Sequence, residues 1–597
     1  MDDETMKTKT KLSLKKKVLF SLTTCVLFFL TLELFLNVCG VQPTYYDNDP
    51  FVGYSSNSPL FVASNNHDSA EMVTAANKLV FFNEQRFPQE KPARTYRIFC
   101  LGGSTTYGRP YDHHTSFSRW LGEYLQAADP TRDWEVINVG GISYASYRVA
   151  ALMEELNRYS PDLYIVYTGH NEFLELRTYG QQMDSQQSLA GLSNWIGQTC
   201  TFALAERLFA DRGEQASGNF GQKQILPEEV DAILDKTVGP ETYTRDEPLW
   251  QRTLKHFEFN LQRMEHLADK ANADILFVTA ASNIRDFSPF KSEHRTDLSS
   301  NQQAQWESLV HSANVSSQAE RHEEALGSLD KALAIDDRHA KLHYQRGRLL
   351  DRLGKFDAAC AAYQRAVDED VCPLRAPSQF QDVVRQVADE TDHRVIDFER
   401  LIHQWAKNGI PGDDLFLDHV HLTIDAHHRL AAELFQHLED SGTVSPNASW
   451  SDLSRQKIAQ LIEGEIDTAQ QGKALRNLAQ VLSWAGKHLE AKQLALQAIQ
   501  LAGEDTHTNF VAGHMLYQSG ELDQAAGFLQ KAIELEPNHV LARLDLAEIY
   551  LQQDEWEQAK SVIEEAIQLD PERQQSYVIL EKVLENEPSE NSDSAGL

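Results

Sequence analysis

Residues 97–106 read Arg97-Ile98-Phe99-Cys100-Leu101-Gly102-Gly103-Ser104-Thr105-Thr106, four apolar residues running into a glycine pair and then three hydroxyl side chains. A short apolar run closed by turn residues is the pattern of a buried strand. Four more such runs follow: Glu135-Val136-Ile137-Asn138-Val139 before Gly140-Gly141, Leu163-Tyr164-Ile165-Val166-Tyr167 before Gly169, Ile275-Leu276-Phe277-Val278, and Val395-Ile396-Asp397-Phe398. Helical patterns, Tyr147–Tyr159 and Trp250–Ala271 among them, separate the first four. Apolar strands alternating with amphipathic helices predict an α/β fold, a parallel sheet with helices on both faces. Ligands bind such sheets at the carboxyl ends of the strands, where the Gly-, Ser- and Asn-bearing turns fall here.

Upstream, a basic segment (residues 1–17) carrying Lys7, Lys9, Lys11, Lys15, Lys16 and Lys17 precedes an apolar run over residues 18–38. About twenty apolar residues suffice to cross a hydrocarbon core, and lysines before the span hold the N-terminus in the cytoplasm. The prediction is a single-pass transmembrane helix in the cell membrane with an extracytoplasmic body, periplasmic in a Gram-negative envelope. A cleaved signal peptide is the rival, but no small-x-small site follows, and Leu36-Asn37-Val38-Cys39 is a poor lipoprotein box. Glu33, near the outer end, is expected to reach the interface. Residues 41–93, rich in Tyr, Asn and Pro, read as a linker held by contact.

The 88 acidic and 55 basic side chains leave a net charge of −33. Such a surface repels phosphate backbones, which excludes nucleic acid as a partner. None of the six cysteines forms a CxxC pair. Free buried thiols are expected, a Cys360–Cys372 disulfide being the alternative.

A period of 34 residues runs through the C-terminal part. It spaces Ala491, Ala525 and Ala559, then Ala498, Ala532 and Ala566, and it also separates Gly486 from Gly520 and Pro537 from Pro571. The same period links Ala325 to Ala359 and Ala332 to Ala366, with Gly354 at the turn position. This skeleton resembles the tetratricopeptide repeat, a helix-turn-helix unit whose small residues let two helices approach. The expected organisation is an α/β domain in two parts (94–305 and 374–440), split by an inserted repeat pair (306–373) and followed by a repeat array (455–585) and a disordered tail (586–597). Because two repeats rarely bury a stable core, the insert is expected to dock on the α/β domain or on the array.

Ser104 follows a strand on a tight glycine turn, a place that exposes a hydroxyl. Alone it is as readily turn chemistry, and neither the GxSxG elbow nor a GK[ST] phosphate loop is present. Three further blocks accompany it: Asn138 to Tyr144 after the second strand, Gly169-His170-Asn171-Glu172 after the third, and Asp418-His419-Val420-His421 before a helix beginning near Ile424. In order and context the four blocks resemble those of the SGNH (GDSL) hydrolase family over residues 94–300 and 375–440. The resemblance implies a flavodoxin-like sheet with Ser104 as nucleophile, His421 as general base and Asp418 as the acid that orients it. It also implies Asn171 and the backbone of Ser143 as oxyanion donors, joined by the Ser104 N–H, with no metal and no cofactor. The chain departs from the pattern at Gly103, where an Asp is usual, at Glu172, where a second Asp is usual, and at Ser143, where a Gly is usual. Gly140 or Gly141 is the alternative to Ser143.

The bland readings are a helix-start pair for Asp418 and His421, a turn cap for Asn171, and solvent exposure for His113, His114, His419, His427 and His428. Arg285 is read as an anion contact or as structural, and Tyr107, Tyr144 and Tyr147 as sugar-stacking faces or as core. The functional expectation is ester hydrolysis or O-acyl transfer on a substrate such as an O-acetylated carbohydrate, with a protein partner in the repeat groove. The alternative is a repeat scaffold whose α/β domain does no chemistry.

Overall fold

The computed structural model describes residues 14–39, 41, 59–64, 71–174, 199–201, 204, 240–391, 394–503 and 505–586. Lys7, Lys9 and Lys11, much of the expected linker and the tail beyond Asn586 lie outside them. The chain forms two units, residues 1–58 with 179–228, and 59–178 with 229–597.

In the first unit, Leu14–Val38 is one helix, and its stretch Lys15–Val38 is long and apolar enough to cross a membrane. Glu33 is paired within the chain. Its carboxylate accepts the Thr201 N–H (3.0 Å), the Thr201 hydroxyl (2.7 Å) and the Cys200 N–H.

In the second unit the expected linker is partly ordered. Strands β1 (Phe61–Ala63), β2 (Glu71–Thr74) and β3 (Arg86–Pro88) form an antiparallel sheet. Phe61, Met72 and Phe87 join the main core, while Glu155 accepts the Leu60 and Phe61 N–H groups at 2.9 and 3.2 Å.

The main sheet holds β4 (Thr95–Gly102), β5 (Asp133–Gly140), β6 (Leu163–Tyr167), β7 (Asp274–Val278) and β8 (Arg394–Ile396), all parallel, in the order β5-β4-β6-β7-β8. Ile98, Phe99, Cys100 and Leu101 are wholly buried, so β4 is apolar over these four consecutive positions instead of alternating. Register aligns Gly102 with both Gly140 and Tyr167. The turns after β4, β5 and β6 therefore open at one level of one edge of the sheet. Two helix groups cover the sheet: Phe117–Ala128 with Ile424–Asp440, and Ser146–Leu156 with Glu247–Ala271 and Ser378–Glu390. The fifth strand is shorter than expected, because Phe398 already begins the helix Phe398–Trp405.

Between β7 and β8 stand two helix pairs, Ser300–Gln318 with His322–Leu333 and Ala340–Arg352 with Phe356–Asp368. The insert dock is a core shared with Ile284 and Ile410 of the α/β domain. Asp452–Gly464 is not part of the array, since Ile458 and Ile462 pack in the α/β core. The array runs from Thr468–Trp484 to Gln574–Asn586, and its first repeat shares a core with Phe287, Tyr111 and Leu417. All six cysteines are free.

Candidate active site

Ser104 opens a one-turn helix, Ser104–Tyr107, directly after Gly102 and Gly103. The turn is tight because the neighbours are close. A Cβ on Gly102 would lie 2.0 Å from the Tyr167 carbonyl, and one on Gly103 would lie 2.6 Å from Asn171 Nδ2. Gly103, the first departure from the resembled pattern, is thus the residue that leaves room for Asn171 beside the serine.

Asp418 and His421 sit on a loop pinned by backbone bonds from Leu417 N–H to the His421 carbonyl (2.8 Å) and from Thr423 N–H to the Leu415 carbonyl (3.0 Å). The loop brings His421 Nε2 to 2.8 Å from Ser104 Oγ, and His421 Nδ1 to 2.6 Å from Asp418 Oδ2. Asp418 Oδ1 is already filled by the N–H groups of Val420 (2.8 Å) and His421 (2.7 Å). That leaves Oδ2 to accept the Nδ1 proton, so Nε2 is the lone pair that faces the serine hydroxyl. Asp418 and His421 are buried and Ser104 is half-buried. Burial alone would raise the Asp418 carboxyl, but the facing His421 and His419 rings hold it well below the usual carboxylate range. The carboxylate therefore stays ionised beside the base it orients.

Three donors surround the serine turn. Asn171 Nδ2 donates one hydrogen to the Tyr144 carbonyl (3.0 Å), and its second has no acceptor among the described residues. Ser104 N–H, at the first position of its helix, has no acceptor among the described residues. In the second block, Gly140 N–H is taken by Asn138 Oδ1 (2.9 Å), Gly141 N–H by the Gly102 carbonyl (3.0 Å) and Ile142 N–H by the Phe81 carbonyl (3.0 Å). Ser143 N–H is left without an acceptor among the described residues. Ser143 has φ +64°, the left-handed region that favours glycine. The Gly140 and Gly141 N–H groups are thus occupied, and Ser143 holds a glycine's conformation.

Readings the sequence left open are decided here, and those of two histidines are corrected. Glu172 is buried and caps the helix Ser146–Leu156, accepting Ser146 N–H (2.9 Å) and its hydroxyl (2.7 Å). Arg285 is structural, bound bidentately to Asp351 of the insert at 2.8 and 3.1 Å. Tyr144 and Tyr147 are core residues. His419 and His427 are buried, not solvent-facing; His427 Nδ1 accepts Phe117 N–H (3.3 Å), and His428 pairs with the Tyr124 hydroxyl. Among the described residues one group, Asp112, His113 and His114, is close enough to share a metal ion, but His114 Nδ1 is already bonded to Asp112 at 2.9 Å.

His419, read from the sequence as solvent-facing, is a buried neighbour of the relay. Its ring lies between Phe287 (5.2 Å) and Phe290 (5.1 Å), its carbonyl accepts Asn283 N–H (3.0 Å), and Nδ1 is 3.5 Å from Asp418 Oδ2. The His-Val-His spacing after Asp418 and the two phenylalanines after Asn283 were the available signals. His170 is also buried, with Nδ1 accepting Ala376 N–H at 3.2 Å. Burial first, then the neighbouring His419 and His421, push its imidazole down to about 3.

Among known proteins, the tetratricopeptide repeat family matches residues 313–370 and 516–585, and the chain carries these repeats. Neither match reaches Ser104, Asn171, Asp418 or His421. No curated protein matches the chain. Similar solved structures include the Arabidopsis OM64 TPR domain, 14% identical over 20% of this chain and 98% of that one, with TM-score 0.19. The second TPR domain of human RPAP3 in complex with an HSP70 peptide is 16% identical over 20% of this chain and 98% of that one, with TM-score 0.19. The TPR2AB domain of yeast Sti1 in complex with pHSP90 is 16% identical over 47% of this chain and 99% of that one, with TM-score 0.19.

Proposed function

We propose that the chain is a serine ester hydrolase or O-acyltransferase of the SGNH type, tethered by its N-terminal helix and carrying repeats that bind a protein partner. One observation carries the reading, the unbroken relay from Ser104 Oγ to His421 (2.8 Å) and from His421 to Asp418 (2.6 Å). Ser104 Oγ attacks an ester carbonyl while His421 Nε2 takes its proton, and Asp418 stabilises the imidazolium formed. The tetrahedral oxyanion is held by the N–H groups of Ser104 and Ser143 and by Asn171 Nδ2. Collapse breaks the bond to the alcohol, which leaves with the proton from His421. The acyl group, now on Ser104, passes to water or to a sugar hydroxyl by the same steps in reverse. Lysines before the apolar helix favour an extracytoplasmic body, which makes an O-acetylated envelope carbohydrate the substrate class.

A second reading has its own support, since both family matches fall on the repeats: a scaffold whose α/β domain does no chemistry. Hydrolysis of a chromogenic acetyl ester by the full chain, beside Ser104→Ala, separates the two. Turnover that disappears in the variant supports the enzyme. Absence of turnover, together with no fluorophosphonate labelling of Ser104, supports the scaffold.

A further inference from the structure

Lys487 is the buried member of an otherwise exposed turn. Gly486, His488 and Leu489 beside it face solvent, whereas Lys487 is 6% exposed. The positions one and two periods further on, Glu521 and Glu555, are half-buried acids. The burial therefore belongs to the first repeat of the array and is not a property of the repeat. An ammonium has three N–H groups, and this one has three acceptors: the Ser288 carbonyl (2.9 Å), the Ser288 hydroxyl (2.9 Å) and the Pro289 carbonyl (2.6 Å). Burying an ammonium is costly unless its donors are met, so the side chain is held to this geometry. The same ammonium stands 5.3 Å from the centre of the Phe287 ring and 4.9 Å from that of Phe290, within cation–π reach of both.

Those two rings enclose His419, whose Nδ1 is 3.5 Å from Asp418 Oδ2. On the other side of Asp418 in sequence, Leu417 packs in the core of the same first repeat. The acid of the relay thus lies between two residues that the array holds. Its other oxygen, Oδ1, is seated on the Val420 and His421 N–H groups of the same short loop. Ser104 and Asn171 stand on turns of the sheet edge, away from this support.

We infer that Lys487 is a positioning residue for the relay, through which the first array repeat sets Asp418 and hence the rate at Ser104. The inference rests on Ser104 being the nucleophile proposed above. Lys487 touches neither the substrate nor the reacting atoms; it acts through Phe287, Phe290 and His419 on the carboxylate. Loss of the clamp leaves the serine turn and its oxyanion donors in place, so substrate binding is retained while His421 loses its orientation. A misplacement of about 1 Å in such a group costs about 10²-fold in rate.

The test compares the full chain in detergent micelles with Lys487→Met, Phe290→Leu, their double variant, and Leu546→Ala, a core change in a later repeat. Acetyl-ester hydrolysis and hydrogen exchange of residues 415–423 are measured on each. Lys487→Met is expected to lower kcat by about tenfold to a hundredfold, with KM within about twofold of the parent. Phe290→Leu is expected to lower kcat severalfold, and the double variant to lose no more than Lys487→Met alone, because both act through one clamp. Leu546→Ala weakens its own repeat and is expected to keep the parental kcat. Exchange of the Val420 and His421 amides requires their bonds to Asp418 to open; it is expected to quicken severalfold in Lys487→Met and to stay unchanged in Leu546→Ala. A parental kcat in Lys487→Met overturns the inference. So do additive losses in the double variant, a rise in KM that accounts for the whole loss, or an equal loss in Leu546→Ala. If the parent hydrolyses no ester, the reading of Ser104 fails and exchange alone decides: quicker exchange of the two amides in Lys487→Met upholds the positioning of Asp418, and unaltered exchange overturns it. Should Lys487→Met not fold, Phe290→Leu carries the same two readouts.

Discussion

Gly103→Ala isolates the oxyanion donor from the rest of the site. The backbone at Gly103, φ −88° and ψ −153°, suits alanine, so the substitution is not strained by its own dihedrals. Its methyl group would stand 2.6 Å from Asn171 Nδ2, well inside contact distance. Because that atom is the end of a rotatable side chain, the clash relaxes by turning Asn171 away. The loss to stability is its single hydrogen bond to Tyr144 (3.0 Å), about 1 kcal/mol. The loss to catalysis is an oxyanion donor, about 10²–10³ in kcat with KM little changed. The Ser104, His421 and Asp418 relay is not touched, so fluorophosphonate labelling of Ser104 persists at a reduced rate. Asn171→Ala is expected to lower kcat by a similar factor. The decisive quantity is the double variant. With Asn171 shortened, a methyl at 103 meets only the Tyr144 carbonyl at 3.5 Å, an ordinary contact. Gly103→Ala is then expected to have little further effect, a coupling of about 3–4 kcal/mol in the cycle. Acetyl-ester hydrolysis by the four proteins measures it. Additive losses, or a Gly103→Ala variant as active as the parent, would refute the assignment of Asn171 as the donor displaced.

Asp418→Asn keeps the shape of the carboxylate but must aim an amide N–H at either the Val420 and His421 N–H groups or at His421 Nδ1, reversing the imidazole tautomer. The expected loss in kcat is on the order of 10³–10⁴, and a loss below tenfold would contradict the relay. Burial pushes His170 and His427 down to about 3, against about 6.5 in the unfolded chain. The folded state then binds fewer protons between these values, so stability is complete above about 6.5 and falls as pH drops towards 3. At pH 5 each group accounts for roughly 2 kcal/mol. His427→Gln, which can still accept the Phe117 N–H, is expected to reduce the difference in urea stability between pH 7 and pH 5 by roughly 2 kcal/mol; an unchanged difference would count against it. Lys487→Met leaves the Ser288 and Pro289 carbonyls, now 2.9 and 2.6 Å from Nζ, without a donor. A destabilisation of about 2–4 kcal/mol is expected in denaturant titration, and a change below about 1 kcal/mol would show that water replaces the ammonium.

Most of the frame was legible because its signals are local. The runs 98–101 and Leu163–Tyr167 are buried at every position, and the 34-residue period marks helices by their close approach at alanine. The order Ser104, Asn171, Asp418, His421 put the site at one sheet edge because parallel strands place all their carboxyl ends there. What escaped depends on contacts distant in sequence. The strands of residues 61–88 are three or four residues long, too short for a periodicity, and exist by pairing and by burial of Phe61 and Phe87. Asp452–Gly464 has a helical pattern like those of the repeats, and only its packing on the α/β core separates it from them. Arg285 has the composition of an anion contact, but docking of the insert supplies Asp351. The buried histidines 419 and 427 read like surface residues, since a histidine satisfied inside a core has no sequence signature of its own.

The placement of the insert explains how a long excursion between neighbouring strands leaves the loop of Asp418 and His421 undisturbed. The chain leaves the sheet through residues 283–291 and returns through residues 370–376. Arg375 joins the two paths by donating to the carbonyls of Asn283 and Phe287, both at 2.9 Å. Asp370 accepts the N–H groups of Phe290 (2.7 Å) and Lys291 (2.9 Å), and Val371 N–H reaches the Lys291 carbonyl (3.0 Å). The repeats, from Ser300 to Asp368, therefore begin and end beyond a closed neck. The entropy of closing a loop grows only with the logarithm of its length, so once the neck is sealed the size of the insert is nearly irrelevant to the pairing of β7 with β8. The same outgoing path holds His419 by its carbonyl and between two aromatic rings, and His419 is the residue next to Asp418. The neck that isolates the sheet from the insert is thus also the support of the acid in the relay. Loosening it would reach the serine by way of Asp418, whereas changing the length of the repeats beyond it would not.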